Sequence, residues 1–159
     1  MKSSSVQLVF QEVPNEISLS FQIVGCPLRC LGCHSSDLWS SPFGMQLNVE
    51  SLAAEIRKYS NYVSCVLYLG GEWEADELIQ QLEQIKSCGL KTALYTGLDL
   101  AQVSPEILKR LDYIKYGPYD AVLGPLSSPK TNQRIVNLKT NENLNRYFIQ
   151  GGSHDSIGY

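Results

Sequence analysis

The segment YVSCVLYLGGEWEADELIQQLEQIKSCGLKTALYTG, residues 62–97, contains the pattern that decides the fold. It begins with a nearly continuous apolar run that ends in two glycines, as expected of a buried strand. Apolar residues then recur at the spacing of one helix face, at Leu78, Ile79, Leu82 and Ile85. Gly89 is a typical residue just beyond a helix C-terminus, and a second strand-like run follows at residues 90–97. Strand, helix and strand in this order predict a right-handed βαβ unit with parallel strands.

The same pattern extends upstream of this unit. Asn48 is the predicted N-cap of a helix, because apolar residues after it share one helix face, at Val49, Leu52, Ala53 and Ile56. Residues 18–24 are rich in Ile, Val and Phe and are predicted to form a strand. Residues 6–10 form another strand candidate, which we expect at an edge of the sheet.

Downstream, Ser104 is a predicted N-cap with Pro105 at the first helical position. Residues 112–119 indicate a further strand and turn, and residues 135–139 indicate the last strand. This alternation is typical of an α/β fold with a mostly parallel sheet. A complete eight-unit barrel takes about 250 residues, whereas this chain has 159. We therefore expect an incomplete (β/α) barrel of about five to six units, at roughly 30 residues each.

The composition indicates a single globular domain over residues 1–159, with 43% hydrophobic and 18% charged residues. We expect its core at about residues 18–139 and a mobile tail at about residues 150–159. A net charge of −3 without a Lys/Arg run argues against nucleic acid as a partner. No apolar run approaches the roughly 18 residues that cross a bilayer, so we expect no membrane partner.

The cysteines and the N-terminal sequence bear on the compartment. The N-terminal residues lack the long apolar centre of a secretory signal. Five cysteines, an odd number with three of them clustered, do not resemble a secreted disulfide framework. We therefore expect a cytoplasmic protein whose thiols are kept reduced.

Four unusual motifs each come directly after a predicted strand. They are the cysteine loop (residues 25–33), GGEW (residues 70–73), YTG (residues 95–97) and KYGPY (residues 115–119). The C-terminal ends of parallel strands share one edge of the sheet, and functional sites of α/β folds are built there. The sequence therefore predicts that the four motifs form one site.

The cysteine loop has three thiols, at Cys26, Cys30 and Cys33. A structural zinc ion needs a fourth ligand, for which His34 is the nearest candidate, but no second Cys/His pair follows. A thioredoxin-like pair of Cys30 and Cys33 leaves Cys26 without a role. A [4Fe–4S] cluster bound by three thiolates keeps one iron open for a substrate, which explains the odd number. Cys65 lies within a predicted strand, so we expect it to pack in the core and not to bind the cluster.

The spacing C-x3-C-x2-C of Cys26, Cys30 and Cys33, with Gly70-Gly71-Glu72 after the next strand, resembles the radical S-adenosylmethionine superfamily. This resemblance implies that the three cysteines hold a [4Fe–4S] cluster whose open iron binds the methionine moiety of S-adenosylmethionine. It also implies that the Gly-Gly-Glu segment lines the methionine amino group. Three further candidates, for the carboxylate or the ribose, lie at the next strand end: Tyr95, Thr96 and Gly97.

Within this superfamily the sequence resembles the activating proteins of anaerobic ribonucleoside-triphosphate reductases. The features shared with them are Gly32 before the third cysteine, CHSSDLW (residues 33–39), GPY (residues 117–119) and TNQR (residues 131–134). Trp73 replaces a proline that often follows the Gly-Gly-Glu segment, and Tyr116 stands where an aspartate is common. We therefore expect no monovalent cation site.

The resemblance implies a specific reaction. Reductive cleavage of S-adenosylmethionine would yield a 5′-deoxyadenosyl radical, which would take a hydrogen from a glycine of the reductase catalytic subunit. Reduced flavodoxin or ferredoxin would supply the electron. An activase for another glycyl-radical enzyme, a radical enzyme with a small-molecule substrate, and a non-catalytic iron–sulfur carrier are the alternatives. The sequence assigns no role to five residues that lie in or near these motifs: Arg29, His34, Trp73, Asn132 and Arg134.

Overall fold

A computed structural model describes residues 1–33, 35–40 and 43–149. His34 and the tail predicted at residues 150–159 lie outside the described residues. The strands are β1 (Lys2–Val9), β2 (Ser18–Ile23), β3 (Met45–Gln46), β4 (Cys65–Leu69), β5 (Lys91–Tyr95), β6 (Tyr113–Tyr116), β7 (Arg134–Asn137) and β8 (Glu142–Asn143). The α-helices are α1 (Val49–Tyr59), α2 (Ala75–Ser87) and α3 (Pro105–Leu108).

The strands form one eight-stranded sheet in the order β3-β1-β2-β4-β5-β6-β7-β8. Its centre, from β2 through β4 and β5 to β6, is parallel, and each crossover contains one of the three α-helices. The outer strands are antiparallel to their neighbours. The mixed α/β class and the parallel central sheet are therefore confirmed.

The prediction of about five to six βα units is too high for the described part of the chain, where four parallel strands are joined by three helical crossovers. The reason lies after β6. Residues 117–133 contain no helix, so the chain turns back and β7 pairs with β6 in the antiparallel direction. The strand predicted at residues 6–10 belongs to a longer strand, β1, of which only Lys2 and Ser3 pair with β3.

The helix starts follow the predicted caps. Asn48 and Ser51 form a reciprocal capping box: Asn48 Oδ1 accepts from the Ser51 amide and Ser51 Oγ accepts from the Asn48 amide, each at 2.9 Å. Ser104 accepts from the Glu106 amide, with Pro105 at the first helical position. These local interactions fix where α1 and α3 begin.

Each face of the sheet has its own apolar cluster. The helix-covered face contains Phe21 and Tyr68, whose rings stack with their centroids 5.7 Å apart. The opposite face buries Cys65 completely, together with Leu67, Ala93 and Ile135. Cys65 is therefore a core residue, as the sequence predicts. No helix in the described ranges is both long and apolar enough to cross a bilayer.

Candidate active site

A cavity of about 230 Å³ lies at the C-terminal ends of the parallel strands. Ten of its lining residues belong to the predicted motifs: Cys26, Leu28, Cys33, Gly70, Glu72, Trp73, Tyr95, Thr96, Gly97 and Lys115. The others are Ile23, Ser35, Leu38, Trp39 and Leu69. The structure thus brings the four motifs to one edge of the sheet.

The cysteine loop is a sequence of tight turns. Gly25, Arg29 and Gly32 have positive φ, at 88°, 47° and 74°. The Cys33 amide donates to the Cys30 carbonyl at 3.1 Å, which closes the turn between the second and third cysteines. The amides of Gly25 and Cys26 both donate to the Leu38 carbonyl, at 2.7 and 3.4 Å. All three cysteines are half-buried and form no disulfide bond, so the loop presents its thiols without packing them into the core.

Cys30 does not line the cavity, but it lies beside a residue that does. A Cβ atom built on Gly97 would lie 3.8 Å from Cys30 Sγ and 2.9 Å from Leu28 Cδ1. Because Gly97, just after β5, has no side chain, the cysteine loop can approach the backbone at this point. This close approach gives Gly97 a structural reason to be glycine.

The Gly-Gly-Glu turn follows β4. Gly70 and Gly71 both have positive φ, at 84° and 108°. A Cβ on Gly70 would lie 2.7 Å from the Trp73 ring, so Trp73 packs over the turn that carries Glu72. A Cβ on Gly71 would lie 3.2 Å from Ile23 Cγ1, which places this glycine against the end of β2. Side chains at either glycine would disturb the wall of the cavity.

The Glu72 carboxylate is buried in this wall. Its Oε1 accepts from Thr96 Oγ1 at 2.6 Å. Its Oε2 is buried and has no hydrogen-bond partner among the described residues. Burial raises the pKa of Glu72, while the hydrogen bond from Thr96 lowers it. An unpartnered carboxylate oxygen at a cavity suits a ligand that brings a hydrogen-bond donor.

The three candidates at the end of β5 differ in their roles. Tyr95 lies among the lining residues, while its hydroxyl donates to the Glu12 carbonyl. Thr96 uses its hydroxyl to bind Glu72. Gly97 gives space to the cysteine loop. Each lies at the cavity, but the polar groups of Tyr95 and Thr96 are engaged by the protein itself.

Lys115 lies in the predicted KYGPY motif, but the sequence analysis gave this side chain no role of its own. It lies on β6, and its Nζ is 5.7 Å from the centroid of the Tyr95 ring. Burial lowers the pKa of Lys115 to about 8, and the nearby Cys30 thiol opposes this change. No ion pair of Lys115 occurs within the described ranges. Its place in this motif, at the C-terminal end of β6, is the signal in the sequence that points to it.

The TNQR residues do not line the cavity. Asn132 Nδ2 donates to the Pro118 carbonyl at 2.8 Å, and Gln133 Nε2 donates to the Gly117 carbonyl at 3.1 Å. The Arg134 guanidinium donates to the carbonyls of Thr131 and Gln133. This segment therefore holds neighbouring backbone. Arg29 is exposed in the cysteine loop.

The donor set fits an iron–sulfur cluster better than a single ion. Among the described residues, no three His, Cys, Asp or Glu side chains converge closely enough to hold one metal ion. A cubane cluster does not need such convergence, because each thiolate binds a different iron. Three thiols on one short loop and the space left by Gly97 are consistent with a cluster held at this edge.

Comparison with known proteins agrees with this donor set. A family model described as "4Fe-4S single cluster domain" matches residues 17–144. The pyruvate formate-lyase-activating enzyme of Clostridium pasteurianum is 32% identical over 96 residues, which are 57% of this chain and 40% of that protein. The 7-carboxy-7-deazaguanine synthase of Hyperthermus butylicus is 34% identical over 100 residues, 61% of this chain and 42% of that protein.

A third relative is the pyruvate formate-lyase 1-activating enzyme of Escherichia coli K12, 30% identical over 94 residues, 55% of this chain and 38% of that protein. The chain thus spans about two fifths of the length of these curated relatives. The family match covers most of the chain and includes the cysteine loop and the Gly-Gly-Glu turn. The chain belongs to the 4Fe-4S single cluster domain family, within the radical S-adenosylmethionine superfamily.

Proposed function

We propose that this protein is a [4Fe–4S]- and S-adenosylmethionine-dependent activase that installs a glycyl radical on an anaerobic ribonucleotide reductase. One observation carries the proposal: a single cavity joins the cysteine loop to the Gly-Gly-Glu turn and to the ends of β5 and β6. The cluster would be held by Cys26, Cys30 and Cys33. When bound, the reduced cluster would supply the electron that cleaves S-adenosylmethionine to methionine and a 5′-deoxyadenosyl radical.

The charges of the cavity support an amino-acid ligand. Glu72 offers a buried acceptor oxygen without a protein partner, and Lys115 offers a cation without a described counter-ion. An α-amino acid has one ammonium and one carboxylate, so it satisfies both. We assign Gly70, Gly71 and Glu72 to the amino group of the methionine moiety. Lys115 is the candidate for its carboxylate, and Thr96 and Gly97 shape the wall between the two.

Much of the remaining lining is apolar. Leu28, Leu38, Trp39 and Trp73 give the cavity apolar walls. A reactive primary carbon radical needs such a site, because contact with solvent or an unintended side chain would quench it. In this proposal these side chains shield the reacting atoms, and the open side of the cavity admits the glycine of the partner.

Two relatives that are activating enzymes support a glycyl-radical enzyme as the class of the partner. The features that favour the reductase are Gly32, residues 33–39, GPY and TNQR. Reduced flavodoxin or ferredoxin is the proposed electron donor. The similarity to a 7-carboxy-7-deazaguanine synthase supports a second candidate, a radical enzyme with a small-molecule substrate.

A non-catalytic carrier is less well supported, because it would need a fourth cysteine ligand. Cys65 lies at the first residue of β4, about 13 Å from the strand end at Leu69 at the usual rise per residue. Cys88 is exposed and follows the C-terminus of α2, which leads away from the site. Neither described cysteine outside the loop is placed to complete the cluster.

The proposal is tested by electron paramagnetic resonance on anaerobically reconstituted protein with dithionite, S-adenosylmethionine and the candidate reductase. A glycyl radical doublet is expected with the wild-type chain and absent with Cys30→Ala. Cys88→Ala is the matched control and keeps the signal, because this thiol is exposed away from the cavity. A cluster signal that changes with S-adenosylmethionine, without any glycyl radical, would favour the small-molecule candidate. Absence of any iron–sulfur signal would refute the cofactor assignment.

A further inference from the structure

The loop that follows β6 contacts two separate parts of the protein. This GPY loop, residues 117–124, is bound on one side by a support segment, residues 131–133. On its other side it touches the cysteine loop at Gly32. None of the residues in these two contacts is proposed to bind the cluster or S-adenosylmethionine. The proposed reaction therefore does not explain why the contacts exist.

The support segment binds the GPY loop through three side chains. Thr131 Oγ1 donates to the Gly124 carbonyl at 3.0 Å, Asn132 Nδ2 to the Pro118 carbonyl at 2.8 Å, and Gln133 Nε2 to the Gly117 carbonyl at 3.1 Å. Thr131 and Gln133 are almost completely buried, with exposures of 5% and 4%. Buried side chains that bind loop carbonyls hold the backbone in one conformation, because a lost bond leaves a polar group unpaired.

The backbones also approach each other closely. Gly117 has φ of 103°, and a Cβ built on it would lie 3.2 Å from both Asn132 O and Gln133 Cα. A side chain at position 117 would therefore push the loop off the support segment. The amide of Gly117 donates to the Leu98 carbonyl at 2.8 Å, which ties the start of the same loop to the chain just after β5.

Tyr119 makes the contact with the cysteine loop. A Cβ built on Gly32 would lie 3.7 Å from Tyr119 Cε1, an ordinary van der Waals distance. The ring thus covers the side of Gly32 where a side chain would stand. Gly32 lies in the turn closed by the hydrogen bond from the Cys33 amide to the Cys30 carbonyl. The ring therefore packs on the turn that sets the relative position of two thiols.

We propose that Asn132, Gln133 and Tyr119 are positioning residues for the cysteine loop. The support segment holds the GPY loop, and the Tyr119 ring then fixes the turn from Cys30 to Cys33. This positioning role rests on the proposed function in one respect only, namely that the thiols of Cys30 and Cys33 hold the cluster. The ordering of the turn by Tyr119 does not require a cluster, so it is tested in the cluster-free protein.

The test is amide hydrogen exchange, read by mass spectrometry, on the cluster-free full chain. Tyr119→Ala and Gln133→Leu are expected to speed exchange in the peptide containing Cys30 to Cys33 by about fivefold, the factor that corresponds to losing one net contact of about 1 kcal/mol. Gln81→Leu is the matched control. Gln81 is an equally buried glutamine that bonds Tyr68 and the Leu47 carbonyl on the helix side of the sheet.

The double variant, Tyr119→Ala with Gln133→Leu, shows whether the two residues act on the turn through the same contact or independently. If Gln133 acts through Tyr119, the double variant exchanges no faster than Tyr119→Ala alone. Unchanged exchange at residues 30–33 in both single variants would overturn the proposal, as would equal acceleration by Gln81→Leu. Iron retention after reconstitution is measured separately. A wild-type chain that binds no iron would refute the cluster and leave the exchange result to decide the positioning role.

Discussion

Thr96 Oγ1 donates a hydrogen bond of 2.6 Å to Glu72 Oε1 and joins the end of β5 to the turn after β4. The Leu98 amide donates to the same hydroxyl at 3.0 Å, so the Thr96 proton is directed at the carboxylate. Thr96 is buried, with an exposure of 4%. The bond therefore holds one Glu72 oxygen and leaves the other for a ligand.

Replacing Thr96 by valine is predicted to weaken binding of S-adenosylmethionine by about tenfold, because Glu72 loses a charge-assisted hydrogen bond. Burial raises the pKa of Glu72 and the Thr96 bond opposes that effect, so the variant raises the pKa further. An ionised Glu72 binds an ammonium, and affinity falls as the pH decreases through this raised pKa. The measurement is equilibrium binding to the reconstituted protein across a pH series.

The control for this prediction is Thr96→Ser, which keeps the hydroxyl. Its pH profile is expected to follow that of the wild type, whereas the profile of Thr96→Val moves to higher pH. Identical profiles for serine and valine would contradict the role of the hydroxyl and leave only a packing role for Thr96.

Gly97→Ala is predicted to reduce the iron bound per chain after reconstitution. The added Cβ would lie 2.9 Å from Leu28 Cδ1, closer than packed side chains tolerate, so the Leu28 side chain would have to shift within the cysteine loop. The backbone of Gly97 is not in the positive-φ region, so alanine itself causes no backbone strain there. Iron content and the urea midpoint are measured together, and the urea midpoint is expected to change little.

A second substitution tests the cause. Leu28→Ala removes the atom in conflict, so the double variant with Gly97→Ala is expected to regain iron binding relative to Gly97→Ala. If the double variant binds as little iron as Gly97→Ala, crowding by Leu28 is not the reason.

Local patterns explain how much of this arrangement can be predicted from the sequence. The parallel core, the caps at Asn48 and Ser104, and the meeting of four motifs at one edge all depend on short-range spacing and on the geometry of βαβ units. The antiparallel direction of β7 cannot be predicted in this way, because the strand pattern of residues 135–139 contains no information on strand direction. The KYGPY motif places Lys115 at a strand end, but whether its side chain lines the cavity depends on which sheet face borders the cavity. The contacts of residues 131–133 are long-range. Neither of these two features appears in a local pattern.

Lys115→Met is predicted to weaken binding of S-adenosylmethionine and to change its pH dependence. Burial lowers the pKa of Lys115 to about 8, so the side chain loses its charge as the pH rises through about 8. In the wild type, affinity for a ligand carboxylate therefore decreases over this range. The methionine variant has a similar length without charge, so its affinity is expected to be low and flat there. A wild-type profile without this decrease, or a variant that retains the decrease, would contradict the assignment.

The N-terminal ends of the parallel strands lie opposite the site, and a substitution there tests stability without changing a site residue. Glu16 is buried before β2 and accepts from Ser64 Oγ at 2.6 Å, from Tyr113 Oη at 2.7 Å and from Lys91 Nζ. Burial acts to raise the pKa of Glu16, but these three donors outweigh it and the pKa is lowered. A carboxyl group with a lowered pKa stabilises the fold at every pH above its ordinary value of about 4.3. This contribution is lost as the pH falls through the lowered pKa.

Glu16→Gln is therefore predicted to reduce the free energy of unfolding at neutral pH by about 2 kcal/mol, because three hydrogen bonds lose their ionised acceptor, a buried carboxylate. The difference from the wild type should shrink in acid, where the wild-type carboxyl is itself protonated. Urea unfolding at neutral and acidic pH measures this. Glu106→Gln, an exposed residue that pairs with Lys109 and Arg110, is the control and should change stability little. Binding of S-adenosylmethionine by folded Glu16→Gln should equal that of the wild type, because Glu16 lies at the N-terminal ends of the strands; weakened binding would show that the two edges are coupled.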